Sequence, residues 1–190
     1  MKHLPGIVAL SLAALPATAL AQPTPATGTV AIDGAVAPIC LLGTPTPVPV
    51  NLGQMVSTSG PRVGRIAVLP SQTVNLPNSF CNFAGSTVTV QATALTASDA
   101  SSPQPGFARA VNYTASASGW AAGNTVATSN ALRDGTMPTA SGTGATQPLP
   151  KQGNIAVTLS NFTVPSDSLL VAGNYSGLVI VTLGPTVTAP

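Results

Sequence analysis

Wherever apolar and polar residues alternate along this chain, they do so with a period of two. Thr87-Val88-Thr89-Val90-Gln91 is the cleanest case. Successive side chains of a strand point to opposite faces, so this run is expected to put one face in a core and the other in water. Similar short runs rich in Val, Thr and Ile are separated by clusters of Gly, Pro, Ser and Asn, the punctuation of strands. The expected strands are 28–39, 48–52, 72–76, 86–95, 109–117, 154–162 and 175–183. No helical periodicity competes with them. Residues 96–106 and 135–150, rich in Ser, Thr, Gly and Ala, read as loops. With no internal repeat and no shift in composition, one all-β sandwich or barrel domain over 28–185 is expected.

Two segments break the simple pattern. Leu178-Val179-Ile180-Val181-Thr182-Leu183 is apolar on both faces. A strand like that left at a sheet edge invites pairing with another chain, so it is expected to be central or to be covered by a further strand. The other segment is 22–39, an extended stretch in which the even positions point one way. Val30, Ile32 and Val36 lie on that side, and Thr29, Ala31 and Asp33 on the other. It reads either as a strand lent to another molecule or as the domain's own first strand.

Residues 1–21 read as a secretory signal peptide. Lys2 supplies the positive start, residues 7–15 an apolar core, and Ala19-Leu20-Ala21 a small-x-small cleavage site. The apolar run is too short to span about 30 Å of hydrocarbon, and Pro16 interrupts it, so no stable membrane insertion is expected. Export through an inner membrane makes a disulfide the natural reading of Cys40 and Cys81, with two buried thiols as the alternative.

Composition then narrows the function. Only 5% of residues are charged, there is no Glu, and the single histidine, His3, lies in the leader. Past the leader there is no imidazole and no closely spaced pair of carboxylates, since Asp33, Asp99, Asp134 and Asp167 stand apart. General acid–base catalysis and metal ligation both need such groups, so no enzyme, no metal and no cofactor is expected. Arg62, Arg65, Arg109, Arg133 and Lys151 are too scattered for a nucleic-acid face. Trp120, in a Gly/Ala context, reads either as a platform for a sugar ring or as core packing. Arg133-Asp134-Gly135 reads as a turn with a solvated ion pair. Asn112, Asn161 and Asn174 open glycosylation-type triplets that are common by chance in an Asn/Thr-rich chain.

Taken in order, the landmarks are Gly28-Thr29-Val30, Cys40, Leu52-Gly53-Gln54, Cys81, and Ala172-Gly173-Asn174-Tyr175 ahead of the last apolar run. This arrangement resembles the subunits of chaperone–usher pili and the related spore coat protein U-type secreted domains, over essentially the whole chain past the leader. The resemblance implies an immunoglobulin-like Greek-key sandwich that lacks its last strand and is completed by a donor strand. Leu178, Val179, Ile180, Val181 and Leu183 would then border an acceptor groove, and Val30, Ile32 and Val36 would be the plugs of the donor. It also implies partners: neighbouring copies or other pilus subunits, a periplasmic chaperone and an outer-membrane usher. The expected location is the periplasm in transit, then the cell surface or the medium, in the service of adhesion or biofilm formation. A self-complete surface or matrix protein of the coat type is the alternative.

Overall fold

The structure is a computed structural model, and it describes residues 23–98, 102–138 and 140–185. The leader expected at 1–21 lies outside the described residues. The chain divides at Val36 and Ala37 into two units. In the first, residues 23–36 form no strand, and Val30, Ile32 and Val36 are 82%, 91% and 87% exposed.

The second unit is all-β. Its strands are β1 (Cys40–Leu41), β2 (Gln72–Cys81), β3 (Ser86–Ala92), β4 (Leu95–Ala97), β5 (Phe107–Ala108) and β6 (Ala110–Ser118). They are followed by β7 (Thr125–Thr128), β8 (Ala140–Thr143), β9 (Lys151–Thr163), β10 (Leu169–Leu170), β11 (Tyr175–Ser176) and β12 (Val179–Pro185). Helix among the described residues is limited to two 3-10 turns, Gly60–Arg62 and Pro165–Asp167. The larger sheet runs β1-β2-β9-β6-β4-β11, with β7 also paired to β6, and the smaller runs β12-β3-β8. All these pairings are antiparallel; a separate two-residue pair, β10 with β5, is parallel. Together the sheets make a curled half-barrel of antiparallel strands.

The period-two pattern explains which strands face the core. Val88, Val90 and Ala92 of β3 are buried, while Thr89 and Gln91 between them are half-exposed. In β6, Tyr113, Ala115 and Ala117 face the core and Asn112, Thr114 and Ser116 alternate with them. These two faces meet Leu76 of β2, and Ile155 and Val157 of β9, in the main apolar cluster. A second cluster gathers Ile66, Ala108, Val111, Val164 and Leu170.

Several elements depart from the expectation. β2 continues past Pro77 to Cys81 because the strand bulges between Leu76 and Ser79. Asn78 there takes a left-handed conformation (φ 56°), which Asn tolerates better than most residues, and a proline without an N–H fits at a bulge. Residues 28–39 and 48–52 form no strand. In the second stretch, prolines at 45, 47 and 49 remove the donors a ladder needs, leaving one bridge between Thr46 and Asn75. Conversely, part of the expected 135–150 loop is β8. The Arg133-Asp134 turn forms, but Asp134 Oδ1 accepts from the Thr136 N–H at 3.0 Å, which holds its carboxyl below the usual range. The ion pairs are instead Arg62–Asp167 at 2.8 Å and Arg65–Asp167 at 3.2 Å, all partly exposed.

Candidate functional site

The two sheets meet along two seams of unlike character. Along the first, β8 lies directly on β7: a Cβ placed on Gly142 would overlap the Val126 carbonyl, so only glycine permits this approach. A hydrogen bond crosses the seam as well: the Thr125 hydroxyl of β7 donates at 3.3 Å to the Val88 carbonyl, which also accepts the Gly144 N–H at 2.9 Å as a continuation of the β3-β8 ladder.

The second seam is open. β12 pairs with β3 over seven residues, Val179↔Ala92 to Pro185↔Ser86, and with no strand on its other side among the described residues. Its phase follows from Leu178, whose carbonyl accepts the Thr93 N–H at 2.9 Å and whose own N–H donates to Thr93 Oγ1 at 2.8 Å. Antiparallel ladders alternate with a period of two, so Ile180, Thr182 and Gly184 also bond towards β3. The N–H and C=O groups of Val179 and Val181, and those of Leu183, therefore face the free edge. Their side chains turn inward and pack against the core, while Ile180 is 46% exposed.

Beneath this edge runs a groove of about 340 Å³. One wall is β12 with Leu178; the other is Pro45, Val48, Pro49, Val50 and Leu52. The floor is Val74 and Leu76 from β2, Val157, Leu159 and Phe162 from β9, and Tyr113 and Leu95. No lining residue is charged. The Tyr113 ring stands 6.0 Å from that of Phe162 and its hydroxyl donates to the Leu178 carbonyl at 3.4 Å. Burial pushes its phenol up to about 12.

At the start of the second unit, the Cys40–Cys81 disulfide joins β1 to the end of β2. Next to it Asn82 grips the incoming chain. Its Oδ1 accepts the Ile39 N–H at 2.7 Å, its Nδ2 donates to the Ala37 carbonyl at 2.9 Å, and its own N–H donates to the Ile39 carbonyl at 3.1 Å. Asn82 carried no signal beyond following a cysteine.

Comparison of this chain with protein-family models, with curated proteins and with solved structures gives no match.

Leu178, Val179, Ile180, Val181 and Leu183 all fall at the open seam, with Leu178 just ahead of β12. Val30, Ile32 and Val36 belong to the first unit, and their side chains are exposed. Trp120 is core packing: it is 3% exposed, its Nε1 donates to Ser86 Oγ at 3.2 Å, and Lys151 Nζ lies 5.7 Å from the ring centre. That leaves no face for a sugar. Asn112 is occupied by Ala131, accepting its N–H at 2.7 Å and donating to its carbonyl at 3.1 Å. Missed from the sequence were the proline-lined wall and the Phe162–Tyr113 floor. The Pro-x-Pro-x-Pro spacing of 45–49 was the one available signal for the wall.

Proposed function

We propose that this chain is a structural subunit of a surface fibre, and that it polymerises when the N-terminal segment of one copy enters the groove beside β12 of the next. In this reading the half-barrel is an immunoglobulin-like Greek-key sandwich short of its last strand. Val30, Ile32 and Val36 supply the missing apolar side chains, and a periplasmic chaperone fills the groove until an outer-membrane usher exchanges it for the next subunit.

The observation that carries the reading is the edge of β12, unpaired among the described residues, above an uncharged groove of about 340 Å³. A free edge offers a row of backbone donors and acceptors, and the chemistry that satisfies them is an added strand, with pockets below selecting alternate side chains. The exposed 30–36 segment has that alternation, and its one charge, Asp33, falls on the opposite parity from Val30, Ile32 and Val36.

The test is a gel of surface-sheared material, boiled and unboiled in detergent, probed for this chain. A ladder of multiples that collapses on boiling is expected. A single band at the monomer mass in both lanes would assign a self-complete secreted surface or matrix domain instead. Deleting residues 22–32 is expected to abolish the ladder; a deletion that still polymerises removes this segment as the donor.

A further inference from the structure

The two walls of the groove are unequal in what they offer a strand. On the β12 side, Val179, Val181 and Leu183 present three N–H groups and three carbonyls at a two-residue spacing, the pattern of an unfinished sheet. On the other side, Pro45, Pro47 and Pro49 have no N–H at all. Between them only Thr46 and Val48 keep one, and Thr46 has turned both its backbone groups to β2: its N–H donates to the Asn75 carbonyl and its carbonyl accepts the Asn75 N–H, each at 2.8 Å.

We infer that the groove is a one-sided acceptor. The occupant, the Gly28–Val36 segment of a second copy, hydrogen-bonds to β12 as the fourth strand of the β12-β3-β8 sheet and meets a wall on which Pro45, Pro47 and Pro49 have no N–H to donate to it. The inference rests on the fibre-subunit reading above and adds to it which wall holds the strand. The segment fits in length, because Val30 to Val36 spans seven residues and so does β12. It fits in charge, because no lining residue of the groove is charged and Val30, Ile32 and Val36 are apolar. The consequence is a division of labour: β12 sets the register through its backbone, and the proline wall selects for side-chain size without competing for that register.

Amide hydrogen exchange followed by NMR on the full chain, before and after adding a synthetic Gly28–Val36 peptide in excess, tests this. The amides of Val179, Val181 and Leu183 are expected to slow at least tenfold while those of Val48 and Val50 keep their rates. Comparable slowing at Val48 or Val50 would show a strand held from both sides, overturning the one-sided acceptor while leaving the groove as the donor site. No slowing at any of the five would remove the groove as the site for this segment, and the fibre-subunit reading would fall together with the inference.

Discussion

The two seams between the sheets differ in their residues as well as in their closure: Ala, Ser, Gly and Thr of β8 meet β7 at the shut one, whereas leucines, Phe162, Tyr113 and prolines line the open one. Where β8 crosses β7, Gly142 removes the side chain that would hold the sheets apart, and the Thr125 hydroxyl fastens them through its bond to the Val88 carbonyl. Where β12 faces β2, three prolines stand in the place of a pairing strand, and the apolar floor stays open. Closure depends less on apolar content than on whether the backbones at the seam can approach and exchange hydrogen bonds. Glycine permits that on one side and proline denies it on the other.

The largest effect is expected at the covalent link between β1 and the end of β2. Replacing Cys40 and Cys81 by Ser is expected to lower unfolding stability by about 4 kcal/mol, the chain-entropy value for a loop of this size, read from urea unfolding curves. Next in size is overpacking of the closed seam. Gly142→Val has to push Val126 away and should cost about 1–3 kcal/mol by the same measurement. A matched pair then sharpens the comparison: Val90→Ala, at a fully buried position, should cost about 2 kcal/mol. Val181→Ala, on the groove wall, should cost less than half of that in the free chain and approach the Val90 value once peptide fills the groove.

A smaller effect is expected from pH. The folded chain keeps the Tyr113 proton up to about pH 12, whereas the unfolded chain releases it near the ordinary value of 10. This contribution is therefore whole below about pH 10 and is lost as the pH climbs towards 12. Tyr113→Phe should flatten that part of the alkaline fall in melting temperature. Asp167→Asn should have the least effect. Hydrogen bonding from Arg62 holds this carboxyl below its usual range, so its contribution is lost only as acid protonates it, and the pair stands exposed in water. Acid melting curves of the two chains should nearly superimpose.

How much of this was legible depended on what held each element. β3 and β6 keep their own alternation, so Thr87–Gln91 could be read directly as a half-buried strand, and the strand expected at 109–117 falls one residue from β6 at each end. β8 could not. Ala140-Ser141-Gly142-Thr143 has no large apolar residue, and it is a strand because of what Gly142 touches, a contact between residues far apart in the chain. Residues 48–52 failed in the other direction: their valines and leucine suggest a strand, but the prolines ahead of them leave too few donors to form one. The both-faced apolar run at 178–183 signalled a strand in need of cover. The floor beneath it, with Tyr113, Leu159 and Phe162, was invisible because it assembles only when β6 and β9 pair. Trp120 admitted two readings from sequence, and its bond to Ser86 decided between them.

The grip of Asn82 on residues 37–39 has a mechanical consequence. A pull on the N-terminal segment enters this unit at Ala37, and the first bonds to bear it are the three made by Asn82. The next is the bond between Cys40 and Cys81, which is covalent. Load that passes it goes into β2, which β9 holds by an antiparallel ladder along most of its ten residues.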